Sequence, residues 1–254
     1  MIKMNQKGFT LTEILVTLVL VGIFSTAMLG LYVTNSRDYT VQTQVVDIQQ
    51  NLRAAISMMA KDLRMTGYDP SFQASAGVLN AGINAITVTM DINEDWDVAD
   101  AGESITYALA GGNLERTAAA ADVVAGNVVG LGFAYAFDAN GDGQLDTDAG
   151  GRVHWAIPVA GGNWLELDAN GDDQITPDDD TDGDGVINTL DTGVLFRAAD
   201  IRALRIWLVA RSQNPQPEHV NSRSFVVANT VLNPVDGFYY RDVSTIVKLR
   251  NMGL

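Results

Sequence analysis

The sequence predicts an α+β chain in which one long N-terminal α-helix packs on an antiparallel β-sheet head that carries an acidic insertion. Three observations predict it. An uncharged run of 23 residues, Ile14 to Ser36, leads into apolar residues at helical spacing. Short segments that alternate apolar and polar side chains, bounded by glycine-containing turns, fill most of the remainder. Between these segments, Asp138 to Asp191 holds 13 Asp and Glu166 against Arg152 alone. The 254 residues suffice for one large domain with appendages. With 47% hydrophobic and 19% charged residues, the composition is that of a chain that folds.

The first eight residues, Met1 to Gly8, are short, polar and basic through Lys3 and Lys7. From Phe9 onward Glu13 is the only charge before Arg37. The uncharged run exceeds the about 20 residues that cross a bilayer core as a helix. A secretory signal would have a shorter apolar region closed by a small-residue cleavage site, and nothing of that kind ends this run. A plain membrane anchor with its basic side inside accounts for the run but not for Glu13. A carboxylate in an apolar helix is expensive in lipid, and such acids are by default partnered and functional.

The helical pattern continues beyond the run. Val41, Val45, Ile48, Leu52, Ile56, Met59 and Leu63 recur every three or four residues, which predicts one half-buried face, with Arg37, Asp47, Arg53, Lys61 and Arg64 mostly off it. Gly67 followed by Tyr68, Asp69 and Pro70 predicts the stop. Gly22 and Gly30 could both loosen the helix, because glycine costs about 1 kcal/mol against alanine in a helix interior.

Strands follow. Ile86, Val88 and Met90 alternate with Thr87 and Thr89; Ile105, Tyr107 and Leu109 alternate with Thr106 and Ala108 before a turn at Gly111-Gly112-Asn113. Phe133, Tyr135 and Phe137 alternate with alanines, and Trp155 and Trp164 mark two short candidates. Ile206, Leu208 and Ala210 lie opposite Trp207 and Val209, and Val243 to Leu249 forms the last strand. The aromatic positions are expected to be core rather than a ligand groove. One antiparallel sheet covered by the helix face is the layout these elements favour.

The acidic middle has the spacing of calcium loops. Asp180, Asp182, Asp184, Asn188 and Asp191 stand at positions 1, 3, 5, 9 and 12 of an EF-hand-type loop, with Gly185 at the turn and the Val186 carbonyl at position 7. Alternate residues of such a loop converge their oxygens on a hard cation while glycine turns the backbone. Upstream, Asp168, Asn170, Asp172, Gln174, Thr176 and Asp179 follow the same template, with Asp173 replacing the glycine. A third loop offers Asp138, Asn140, Asp142, Gln144 and Asp146 around Gly143, but Ala149 stands at position 12, so Asp148 or a distant group would have to close it. Asp91, Asn93, Asp95 and Asp97 alternate too, yet Trp96 occupies the turn and argues against a loop. The alternative for each is a solvated Asp/Gly turn. Paired helices do not flank these segments, so isolated loops are expected rather than full EF-hands. Ca²⁺ is the cofactor this spacing implies, and without cations a stretch of net charge −13 would repel itself and stay open.

Other chemistry finds little support. A net charge of −15 with no basic cluster argues against nucleic acid as a partner. The absence of cysteine removes disulfides, thiolate zinc sites and cysteine nucleophiles. His154 and His219 stand near no plausible serine or metal cluster, and phosphate-loop and dinucleotide fingerprints are lacking. The chain is therefore not expected to be an enzyme.

The N-terminus resembles the type IV prepilin family, whose signature is a short basic leader ending in Gly, then Phe, then a hydrophobic stretch with Glu at the fifth position; here it reads Lys7-Gly8-Phe9-Thr10-Leu11-Thr12-Glu13. The resemblance implies cleavage by a prepilin peptidase between Gly8 and Phe9 and N-methylation of Phe9. Loss of Lys3 and Lys7 would take the net charge from −15 to −17. The new ammonium at Phe9 of one subunit would pair with Glu13 of a neighbour and set register between bundled helices. Thr12, where a larger apolar residue is usual, and Gly30, near the usual helix-bending proline, depart from common pilins.

Later motifs narrow the resemblance to PilW-like minor pilins and the related J-type pseudopilins of type II secretion. They are Lys61 to Pro70 after the helix, Ile105-Thr106-Tyr107 with Gly112 to Arg116, and the closing Val247 to Asn251. The implied layout is a leader at 1–8, a transmembrane and filament-core helix at 9–36, its amphipathic continuation at 37–66, and a β-rich head at 67–254 with the calcium-binding insertion at 138–191. The implied role is a minor pilin that initiates or caps a type IV pilus, partnered by prepilin peptidase and by other minor and major pilins. The alternatives are a minor pseudopilin of a secretion machine and a calcium-dependent tip adhesin. Such a protein would cross the bacterial inner membrane once, head outside the cytoplasm, before entering a pilus or pseudopilus at the cell surface.

Overall fold

The structure is a computed structural model. It describes residues 10–147, 151–159, 163–168, 176–179 and 198–253. Two compact units are present, Met1–Val46 and Asp47–Leu254. Helix α1 (Leu11–Met65) contributes to both.

In the first unit α1 is apolar all round from Ile14 to Val33, and its large side chains from Leu11 through Val33 are exposed. A helix of that kind needs lipid or other helices for company. Its hydroxyls are already satisfied: Thr17 donates to the Ile14 carbonyl at 2.8 Å, Thr26 to those of Gly22 and Ile23 at 3.0 and 2.8 Å, and Thr34 to that of Gly30 at 3.1 Å. Such back-bonding lets a threonine sit in apolar surroundings without an orphan donor. The helix runs through Gly22 and Gly30 unbroken.

In the second unit one face of α1 is buried through Ile48, Leu52, Ala55, Met59, Ala60 and Leu63, which matches the expected stripe except that Ile56 is half-buried and Ala55 is fully covered. The helix ends at Met65. Gly67 takes a left-handed φ of +77° and donates to the Thr89 carbonyl at 3.0 Å. A Cβ there would also lie 2.6 Å from Met252 Sδ and push that flexible side chain aside, so it is the backbone conformation that favours glycine.

The head holds more strands than the sequence pattern suggests. They are β1 (Val78–Ala81), β2 (Ala85–Thr89), β3 (Ser104–Ala110), β4 (Asn113–Thr117), β5 (Ala121–Gly126), β6 (Val128–Phe137), β7 (Ala156–Val159), β8 (Asn163–Glu166), β9 (Ile201–Arg211), β10 (Phe225–Val227), β11 (Thr230–Leu232) and β12 (Tyr240–Lys248). Two antiparallel five-stranded sheets form in place of the single sheet expected, ordered β1-β2-β3-β4-β5 and β12-β9-β6-β7-β8, with β10 and β11 as a separate hairpin. The break falls at Asn127, whose φ of +57° turns the chain. Its carbonyl accepts from Arg211 N–H at 3.0 Å, so β6 leaves the meander and pairs with β9. The acidic stretch is correspondingly not a pure insertion, because β7 and β8 within it extend the second sheet.

One core joins the buried face of α1, Ile86, Val88, Ile105, Tyr107 and Leu114 of the first sheet, and Leu131, Phe133, Tyr135 and Phe137 of β6. The opposite face of the second sheet packs Trp155, Trp207 and Val209 with Phe225 and Val227 of the hairpin. Tyr135 donates its hydroxyl to the Gly82 carbonyl at 2.8 Å, tying the second sheet to the β1–β2 turn. The expected aromatic core is thus observed, Trp155 and Trp164 included.

Asp62 fastens the helix to the first sheet. Its Oδ2 accepts the buried Tyr107 hydroxyl at 2.7 Å and Arg116 Nε at 2.6 Å. Burial, with the Asp62 carboxylate beside it, raises the Tyr107 phenol above its usual range. Hydrogen bonds to charged groups contribute about 1.5–3 kcal/mol, and a buried hydroxyl left without an acceptor adds a further cost. Asp62→Ala should therefore lower the unfolding free energy by about 2 kcal/mol in urea titrations, and a loss within about 0.5 kcal/mol, the usual size for a surface change, would contradict this role.

Candidate functional site

Gly8 and Phe9 lie outside the described residues. Glu13 stands in the first turn of α1, and Thr10 holds it: Glu13 Oε2 accepts the Thr10 N–H and hydroxyl, each at 2.9 Å, while Thr10 Oγ1 accepts the Glu13 N–H at 3.3 Å. This is a capping box, with Thr10 as N-cap and Glu13 three residues on. The positive end of the helix dipole favours a carboxylate there. The Thr-x-x-Glu spacing was present in the sequence, so the box was legible. Glu13 was assigned to assembly, with no partner seen within the chain.

In the head, Asp138 follows directly on β6 and is 3% exposed. Its carboxylate accepts the N–H groups of Gly141, Asp142 and Gly143 at 2.7, 3.1 and 3.0 Å. Gly141 and Gly143 both take left-handed φ, +72° and +79°. Asn140 Oδ1 accepts from Asp142 N–H at 2.9 Å, Asp142 Oδ1 from Gln144 N–H at 2.8 Å, and Asp146 Oδ2 from Ala139 N–H at 2.9 Å. The expected oxygen-bearing residues of this loop are therefore drawn into one turn.

The segment after β2 repeats that pattern residue for residue. Asp91, 0% exposed, accepts from Glu94, Asp95 and Trp96 N–H at 2.7, 3.2 and 3.2 Å, and Asn93 Oδ1 accepts from Asp95 N–H at 3.1 Å. Glu94 and Trp96 take left-handed φ of +65° and +79°, the conformations of Gly141 and Gly143. Trp96, which in the sequence argues against a loop, is accommodated in this turn. Three backbone hydrogen bonds to Asp91 outweigh the about 1–2 kcal/mol that a side chain pays in that conformation.

Glu103, 2% exposed and just ahead of β3, completes the cluster that sequence reasoning missed. It accepts Ile92 and Asn93 N–H at 3.0 and 3.4 Å through Oε1, and Asp100 N–H at 3.2 Å through Oε2. Its only mark in the sequence is an acid one place beyond position 12 of the template counted from Asp91. Carboxylate oxygens of Asp91, Asp95 and Glu103 lie within 4.8 Å of one another. Calcium–oxygen distances of 2.3–2.6 Å allow two ligands of one ion to stand about 5 Å apart at most, so these hard oxygens fit the ion.

Of the second expected loop, Asp168, Thr176 and Asp179 are described; Asn170, Asp172 and Gln174 lie outside the described residues. Asp179 is buried and its Oδ2 accepts Thr176 N–H at 2.8 Å. Asp180, Asp182, Asp184, Val186, Asn188 and Asp191 all lie outside the described residues. Both histidines have structural partners: His154 Nδ1 stands 2.6 Å from Glu166 Oε1, and His219 stacks on Tyr239 with ring centroids 4.0 Å apart.

Residues 3–29 match the family model of the prokaryotic N-terminal methylation motif. The matched segment carries a prepilin-type N-terminal methylation signal, and it leads into one long helix followed by antiparallel sheets. The motif implies processing by a peptidase and assembly with other pilins, and the apolar helix fits membrane anchoring before assembly. A solved type IV-like pilin from Thermus thermophilus is similar over 82% of this chain and 98% of its own, at 13% identity and a TM-score of 0.43. No curated protein matches the chain in sequence.

The Asp91 loop has a direct test. Trp96 is 63% exposed and so loses little burial on removal, whereas glycine adopts its left-handed φ freely. Trp96→Gly should raise the unfolding free energy by about 1 kcal/mol. A decrease would mean that the indole makes contacts worth more than the strain it carries.

Proposed function

We propose that the chain is a minor type IV pilin, cleaved before Phe9 and inserted into the filament through α1, with a head ordered by calcium. The observation that carries the reading is Glu13, a carboxylate fixed at the first turn of an otherwise uncharged run. Cleavage after Gly8 would create an ammonium at Phe9, next to the Thr10 that holds Glu13. A carboxylate in lipid is costly until it finds a cation, and the terminal ammonium of an adjacent subunit supplies one when helices bundle. The buried pair then favours one axial register over others, since a slipped neighbour would leave both charges unpaired.

Calcium has a separate task. The Asp138 loop and the Asp91–Glu103 cluster each gather hard oxygens at the end of a strand, and the stretch from Asp138 to Asp191 carries a net charge of −13. Cations bound there would offset that repulsion and stabilise the folded head by mass action, about 2.7 kcal/mol at a hundredfold excess over Kd.

Two experiments test the reading. In the native organism Glu13→Ala should leave the chain in the membrane fraction but remove it from sheared pili, where the wild type should appear far below the major subunit. Normal incorporation of the variant would refute the ion pair, and equal abundance would make the chain a major subunit. In purified protein, millimolar calcium should raise the thermal midpoint and chelator should lower it. Asp138→Ala and Asp91→Ala should each remove part of the shift, and a midpoint indifferent to calcium would end the calcium reading.

A further inference from the structure

The second sheet ends on a long strand edge that neither the pilus reading nor the calcium reading uses. Strand β12 pairs with β9 on one side, and among the described residues no backbone hydrogen bond is made along its other side. Its nine residues make it the longest edge of the two five-stranded sheets; β1 and β8 have four each and β5 has six. No proline interrupts it. Such an edge is a ready template for another strand unless charge or shape prevents it.

Charge favours one particular partner. The exposed residues of β12 are Asp242, Ser244, Ile246 and Lys248, which alternate along the strand and so share one face, while Val243 and Val247 pack on the core at the other face. Charges on an edge commonly serve to repel a copy of the same edge. Here the two exposed charges are opposite in sign and stand at equal distances on either side of Thr245. A copy laid antiparallel with Thr245 on a two-fold axis sets Asp242 opposite Lys248 at both ends, Val243 opposite Val247, and Ser244 opposite Ile246. Moving the axis to Ser244 sets Asp242 against Ile246 and Lys248 against the buried Tyr240, and both charge pairs are lost. Both charges are accessible. Lys248 makes no ion pair among the described residues, and Asp242 meets Arg223 only at 3.3 Å, with the two side chains 51% and 60% exposed.

We propose that β12 pairs with β12 of a second copy of the chain, antiparallel and centred on Thr245, so that the second sheets of two heads become one. The complementarity is of β12 to itself, and a strand cannot lie beside itself, so the partner is a second copy. Backbone hydrogen bonds along the seam supply attraction, the charge pairs fix the register, and Val243 meeting Val247 continues the core across it. The two-fold axis stands normal to the sheet and reverses every direction within it, including that of the α1 turns laid on its covered face. The paired heads therefore belong to chains that point opposite ways. On the pilus reading, in which subunits of one filament point the same way, the contact joins heads of two filaments.

The test is made on purified full chain in detergent micelles, so its outcome does not depend on whether pili form. The sequence has no cysteine, and introduced cysteines report the register directly. Chains carrying Ser244→Cys and differently tagged chains carrying Ile246→Cys are mixed and oxidised. In the proposed register these two positions face each other with Cα atoms about 4.5–5.5 Å apart. Two copies of either position stand about 8 Å apart, from the rise along a strand and the spacing between strands, beyond the about 7 Å that a disulfide spans. The mixed dimer should exceed each like dimer at least fivefold. Lys248→Glu should cut its yield at least fivefold by setting acids opposite each other, Asp242→Lys should do the same with bases, and the two substitutions combined should restore it, a recovery that a merely misfolded head would not give. Mixed and like dimers in statistical proportion, as contact through α1 alone would produce, overturn the proposal, as do the absence of any dimer and failure of the combined variant to recover.

Discussion

A single helix here has to satisfy two different surroundings, and that constraint governs the rest of the chain. From Ile14 to Val33 α1 presents apolar side chains around its whole circumference, and its threonine hydroxyls are closed onto its own backbone. From Asp47 onward the same helix offers one apolar face, and the head is built to cover it. The first part cannot be satisfied by water. The second cannot be satisfied by lipid, because Asp62 and its partners Tyr107 and Arg116 make a polar clamp on that stretch. Composition along one helix thus sets where apolar surroundings end.

The loops of the head follow a second rule, that an aspartate at the end of a strand organises the backbone that follows it. Asp91 after β2 and Asp138 after β6 each accept three consecutive N–H groups at ladder ends, where those donors would otherwise lack partners. The residues at positions 3 and 5 of each turn, Asn93 and Asp95 or Asn140 and Asp142, stay exposed. A structural device for capping a strand and a device for gathering cation ligands are therefore the same arrangement. Acidic turns of this kind need a thermodynamic measurement, and not a spacing rule, to distinguish the two uses.

Helix α1 and the buried strands were legible because burial leaves a periodic trace: four-residue and three-residue spacing for Ile48, Leu52, Met59 and Leu63, strict alternation for β2, β3 and the second half of β6. The strands β1, β5 and β11 left little trace, since their mostly half-buried and exposed residues match the pattern of ordinary turns, and β10, though buried at both ends, is only three residues long. Sheet partnership was not legible at all. It turns on the left-handed conformation of Asn127, a single residue that the alternating pattern passes over. At the N-terminus Glu13 was visible as an anomaly of charge. Glu103 was invisible for the opposite reason, because its place in the cluster depends on β2 and β3 lying side by side.

The paired loops also alter how the remaining acidic motifs are read. A glycine at the sixth position is the usual mark of a calcium loop because that residue must take a left-handed φ. In this chain Gly143 and Trp96 occupy the position with the same φ of +79°. What the two loops share is the first-position aspartate and its three accepted N–H groups; the glycine is dispensable at a cost of about 1–2 kcal/mol. Asp173, which stands at the sixth position counted from Asp168, belongs to a residue type that tolerates the left-handed region better than tryptophan does. Its presence is therefore no objection to a loop at 168–179, and the weight of that motif rests on Asp168 and the oxygens that follow it.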